Sequence, residues 1–71
     1  LWEISEAFAA MTISSIKELN LDINKVNVNG GGISIGHPLG ASGSRMIYHL
    51  ALELKTRNLE FGICTMCIGV G

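Results

Sequence analysis

At 71 residues with a formal net charge of −1, the chain lacks the basic excess that draws a protein to nucleic acid or an anionic membrane. It also has no apolar run near the roughly 18–20 residues that span a bilayer. Hydrophobic residues make up 48% and charged residues only 15%, too apolar a balance for a free domain of this size, which buries only about 60% of its unfolded surface.

That composition suits a slice of a larger core or half of an intimate interface. The chain opens at Leu1-Trp2 without a start methionine and ends at Gly69-Val70-Gly71, so it is expected to be a fragment, incomplete as an isolated chain. Two cysteines without a secretory context suggest a reducing, intracellular setting. Cytoplasm and mitochondrial matrix both fit.

In chain order, residues 3–20 are predicted to form an amphipathic helix. Ile4, Phe8, Met11, Ile16 and Leu19 recur near the 3.6-residue period, and Ala7, Ala9 and Ala10 add propensity. Asn20 is its expected stop, and Leu21-Asp22-Ile23-Asn24-Lys25 reads as a turn with Asx bonding. Val26-Asn27-Val28 reads as a short strand entering a glycine-rich stretch. That stretch, Asn29 to Arg45, carries six of the nine glycines, the only proline and one of the two histidines. Pro38 fixes its own φ and keeps His37 out of the helical region, so the imidazole is held on extended backbone just before a helix.

The second long helix is predicted from Ala41 or Ser42 to Arg57. Met46, Ile47, Leu50, Ala51 and Leu54 form its apolar face, and Glu53 stands four residues before Arg57 in the favourable order for an ion pair. After Asn58, the run Phe61 to Met66 reads as an apolar strand buried on both faces. It leads into a second glycine turn, Cys67-Ile68-Gly69-Val70-Gly71. Helix, strand, loop, helix and strand in that order imply an α/β layer with helices packed on a sheet.

Four chemistries compete for these residues. Cys64-Thr65-Met66-Cys67 has CxxC spacing, but a redox CxxC opens a helix and this one closes a strand. A structural zinc site needs four ligands, which His37 and His49 do not complete at compact spacing. The glycine stretch has neither G-x-G-x-x-G nor a P-loop lysine, so a phosphate cradle is weak. Nucleophilic acyl chemistry fits better: it needs a thiolate or base, an imidazole and backbone donors for an oxyanion. His37 and Cys67 supply the first two, and amides around Gly69 the third. His49 reads as a packing residue, and Arg45 as structural. An interaction module that docks its apolar helices on a partner stays open as a further reading.

The motifs themselves carry a resemblance. Asn27-Val28-Asn29-Gly30-Gly31 followed by Gly36-His37-Pro38-Leu39-Gly40-Ala41-Ser42-Gly43-Ser44-Arg45 resembles the signature of the thiolase family around its GHP histidine. Cys67-Ile68-Gly69 resembles the family's C-x-G motif, and Glu6-Ala7-Phe8-Ala9 the tail of its N-E-A-F motif. Together they span nearly the whole chain and point to the C-terminal part of a member of the acetyl-CoA acetyltransferase branch. The resemblance implies part of the C-terminal half of a layered fold, helices packed on a mixed sheet, in a homo-oligomer (dimer or tetramer). It implies condensation of two acetyl-CoA molecules to acetoacetyl-CoA, or cleavage of a 3-ketoacyl-CoA by CoA. No cofactor is implied, the CoA thioester being substrate.

Residue by residue, the resemblance makes His37 the group that deprotonates the family's nucleophilic cysteine and helps bind the thioester oxygen. It makes Cys67 the acid/base, the Gly69 N–H an oxyanion donor, and Phe8 a neighbour of the pantetheine arm. Two departures stand out. The nucleophilic cysteine of the family belongs to its N-terminal half, and neither Cys64 nor Cys67 occupies that motif. Ser5 stands where the family has an asparagine that holds an oxyanion-hole water.

Overall fold

Trp2-Glu3-Ile4 enters the fold as a strand and not as the first turn of a helix. In the computed structural model, which describes residues 1–69, β1 (Trp2–Ile4) pairs in parallel with β2 (Ile63–Thr65). The register is Trp2↔Ile63, Glu3↔Cys64 and Ile4↔Thr65. The helical period expected from residue 3 fails here because β2 and Asn27 offer these backbone groups hydrogen-bond partners that a lone first turn would lack. Helix α1 (Ala9–Glu18) therefore starts late, behind Phe8 in extended conformation. It stops at the expected place, where Asn20 takes φ 52, the left-handed region asparagine tolerates.

The turn at 21–25 forms as expected, with Asp22 Oδ1 accepting from the Asn24 N–H at 2.9 Å at the start of a 3-10 turn, Ile23–Lys25. The strand expected at 26–28 shrinks to a single bridge, Val26 beside Trp2. Asn27 ends it by taking φ 46. Its side chain then does what a strand backbone would: Oδ1 accepts from the Ile4 N–H at 2.8 Å, and Nδ2 donates to the Ile4 C=O at 2.9 Å.

The glycine stretch contains a short helix, α2 (Gly32–Ile35), and then α3 (Ser42–Thr56), close to its predicted span. The predicted ion pair is present, with Arg57 Nε 2.7 Å from Glu53 Oε2. Helix α3 packs on both strands through Met46, 2% exposed, and Leu50. Ile47, one position round the helix, is turned outward and 62% exposed, because each residue rotates the face by about 100°. Ile4 and Val26 complete the buried apolar core.

Two expectations about the end of the chain change. The strand predicted over 61–66 is only Ile63–Thr65, and it is not buried on both faces: Ile63 and Met66 are exposed and Cys64 half-buried. Within these residues β2 has β1 on one edge and packs against α3, and Ile63 and Thr65 share a cavity with Met11, Ser15 and Leu19. The glycine turn at 67–71 is described as far as Gly69; Val70 and Gly71 lie outside the described residues. The chain exposes 5203 Å², against about 4,300 Å² for a monomeric protein of this mass. Apolar surface is left uncovered, in line with the reading from composition.

Candidate active site

The site begins with a carboxylate that shapes the glycine stretch. Glu6 Oε1 accepts from the Ile33 N–H at 3.0 Å, and Oε2 from Asn27 Nδ2 at 3.0 Å. This clamps the start of α2 against the end of β1. A Cβ on Gly31 would lie 2.5 Å from the Glu6 carboxylate, so only glycine allows the approach. Helix α2 ends at Gly36, where φ is +104, a conformation that L side chains rarely adopt. That reversal releases His37 from the helix.

Pro38 then sets the entry to α3. Its carbonyl accepts from the Ala41 N–H at 3.0 Å, the Ser42 N–H at 3.2 Å and the Ser42 hydroxyl at 3.4 Å. The same turn brings Ser42, 3% exposed, against the imidazole, with Oγ 2.6 Å from His37 Nδ1. A serine hydroxyl has one proton and two lone pairs. With that proton on the Pro38 carbonyl, the His37 tautomer protonated at Nδ1 satisfies both contacts and leaves the lone pair on Nε2.

The third arm comes from the ends of the two strands. The Ser5 N–H donates to the Thr65 C=O at 3.0 Å. The Cys67 N–H donates to Ser5 Oγ at 3.4 Å, and Cys67 Sγ lies 3.8 Å from the same oxygen. His37, Ser5 and Cys67 all line one cavity of about 150 Å³, together with Ser42, Arg45 and Met66. Phe8 and Gly69 do not line it; Phe8 is 73% exposed. Both cysteines are free.

Charge is gathered between β1 and α3. Glu3 on β1 is 5% exposed, and burial pushes its carboxyl above the ordinary range, partly offset by Arg45 and His49 on α3. Arg45 Nε and Nη1 and His49 Nδ1 are buried without hydrogen-bond partners among the described residues. Burial, and then the Glu3 charge, also push the Cys64 thiol up. No group of three or more His, Cys, Asp or Glu among the described residues could hold a metal ion.

Three contributors were not singled out by sequence reasoning. Ser42 had a readable signal, since it opens the helix that follows His37-Pro38 and so returns to the imidazole. Glu6 and Asn27 act on residues more than twenty positions away, and local pattern carries no trace of that.

Comparison with known proteins identifies the family. The family description "Thiolase, C-terminal domain" matches residues 1–71. The chain is 54% identical over 71 residues to a 3-ketoacyl-CoA thiolase of Bacillus subtilis (strain 168), covering 100% of this chain and 18% of that protein. It is 46% identical over 71 residues to the mitochondrial acetyl-CoA acetyltransferase of Bos taurus, covering 100% of this chain and 16% of that protein. A crystal structure of the Bacillus anthracis acetyl-CoA acetyltransferase superposes with a TM-score of 0.89 at 54% identity. Human mitochondrial 3-ketoacyl-CoA thiolase in complex with CoA superposes with a TM-score of 0.91 at 49% identity. Each superposition covers 97% of this chain and 18% of the other.

Proposed function

The chain belongs to the thiolase family, in its C-terminal domain, and on that premise we propose that it supplies His37 and Cys67 to an acyltransferase acting on CoA thioesters. The parent protein would join two acetyl-CoA molecules into acetoacetyl-CoA, or cleave a 3-ketoacyl-CoA with CoA. The relatives' names cover both directions. The observation that carries the reading is that His37 and Cys67, thirty positions apart, line the same cavity.

In this reading a cysteine outside these residues attacks the first thioester, His37 Nε2 takes its proton, and CoA leaves as the thiol, carrying that proton away from His37. Ser42 holds the ring so that Nε2, not Nδ1, carries the free lone pair. The Cys67 thiolate then removes a proton from the α-carbon of the second acetyl-CoA. The electron pair of that C–H bond becomes the enolate, which attacks the acyl carbon and releases the first cysteine. An α-carbon proton is weakly acidic, so both a close base and a preorganised oxygen site are needed. The Gly69 N–H is the proposed donor to that oxygen in the parent protein, and Phe8 the proposed contact to the pantetheine arm. Ser5, at the family's asparagine position, stands beside the base. The uncovered apolar faces would pack against the remainder of the protein and, through it, a homo-oligomer.

The test is CoA-dependent loss of acetoacetyl-CoA absorbance. The full-length protein is expected to turn over and to lose activity in His37→Ala and Cys67→Ala. The 71 residues alone are expected to be inactive, because covalent acyl transfer has no nucleophile there. His37-dependent turnover by the short chain would overturn the division of labour, and an inactive full-length protein would overturn the function.

A further inference from the structure

The parallel ladder between β1 and β2 is broken at one bond, and that bond involves Cys67. Along the ladder the donors alternate: the Ile63 N–H to the Leu1 C=O at 2.9 Å, and the Ser5 N–H to the Thr65 C=O at 3.0 Å. The evenly spaced parallel pattern would next send the Cys67 N–H to the Ser5 C=O. It goes instead to the Ser5 hydroxyl at 3.4 Å. Cys67 thereby leaves the strand and is exposed, while Cys64 stays half-buried within it.

The same hydroxyl lies 3.8 Å from Cys67 Sγ. One oxygen thus contacts two atoms of one residue, which fixes that residue's side-chain rotamer as well as its backbone. One lone pair of Oγ receives the Cys67 N–H, and its single proton is left over. Among the described residues the sulfur is the acceptor within reach of that proton. Toward a neutral thiol such a contact is weak. Toward a thiolate it is charge-assisted and roughly twice as strong.

We propose that Ser5 is a positioning residue for Cys67, its hydroxyl donating to Sγ and holding the sulfur toward the cavity that His37 also lines. This deepens, and rests on, the acyl-transfer reading of the site. When Cys67 removes a substrate proton, the proton moves from carbon to Sγ and the Ser5 contact weakens. When Sγ gives the proton up, the contact is restored. Ser5 itself neither gains nor loses a proton.

The experiment measures the rate of iodoacetamide labelling of Cys67 against pH in the full-length protein, with peptide mapping to separate it from Cys64. Ser5→Ala is expected to slow Cys67 labelling at pH 7 by about 2- to 10-fold, the worth of one hydrogen bond, and to move the half-maximal rate to higher pH. Ser5→Thr keeps the hydroxyl and is expected to restore the profile. Superimposable profiles for Ser5→Ala and the unaltered protein would overturn the assignment, as would a loss that Ser5→Thr does not restore. Turnover of acetoacetyl-CoA by the unaltered protein is read in parallel. Its absence would undo the proposed function and leave the labelling comparison to judge Ser5.

Discussion

The side chain of Asn27 pairs with Ile4 as a third strand would, Oδ1 accepting from its N–H at 2.8 Å and Nδ2 donating to its C=O at 2.9 Å. Nδ2 also reaches Glu6 Oε2 at 3.0 Å, so one amide fixes both the strand edge and the carboxylate that clamps α2.

Asn27→Ala is therefore expected to destabilise the protein by about 2–4 kcal/mol. It strands the Ile4 amide group and removes a residue suited to φ 46. Asn27→Asp keeps the acceptor but sets a second carboxylate against Glu6, so its deficit should shrink as pH falls below about 4. Denaturant unfolding at pH 7 and pH 3 measures both.

How much of this was legible depends on how far each partner lies along the chain. Helix α3 could be read because its period, the Pro38 before it and the Asn58 after it are all local. His37 and Cys67 could be picked out because glycine and proline isolate them from regular structure. Strand β1 could not, since three residues are too few for a period and their partners lie some sixty positions on. The exposure of Ile63 was hidden for the opposite reason: a continuous apolar run says that a strand is meant to be covered, not what covers it. Phe8 was named through resemblance alone, Gly69 also through its glycine turn after Cys67, and neither lines the cavity.

Ser42 is expected to act through His37. Ser42→Ala removes the oxygen 2.6 Å from Nδ1 and lets both tautomers populate. In the full-length protein kcat should fall about 3- to 10-fold with little change in KM, and Ser42→Thr should recover most of it. An equal loss in kcat and stability for both variants would assign Ser42 to packing alone.

The two cysteines should part in reactivity. Burial and the Glu3 charge push the Cys64 thiol up, whereas Cys67 is exposed at the strand end. Brief iodoacetamide treatment should label Cys67 first. Cys67→Ala should nearly abolish condensation, and Cys64→Ala should cost about 1 kcal/mol or less. Both thiols are free, Cys64 within β2 and Cys67 beyond its end. A Cys64–Cys67 bond in the native protein would revive a redox role.

Glu3 should give the protein a pH dependence of unusual sign for a carboxylate. Burial is the largest influence on it and raises its carboxyl from 4.5, Arg45 and His49 pull it back, and Glu6 and Glu53 add to the rise. The folded state thus holds this proton more tightly than the unfolded chain does. The stability it contributes is complete below the unfolded value of about 4.3 and is lost as pH rises through the folded value. Above that window the fold carries a poorly solvated carboxylate, whereas glutamine keeps the shape without the charge. Glu3→Gln should match the unaltered protein near pH 4 and become the more stable of the two by pH 7. Arg45 opposes this, since glutamine leaves its buried nitrogens without a counter-charge, but the net rise at Glu3 says that burial outweighs the attraction. Thermal melts of both proteins from pH 4 to 8 decide the matter: a Tm gap that opens toward neutral pH in favour of Glu3→Gln is expected. A gap of the opposite sign would make Glu3 and Arg45 a net-stabilising pair.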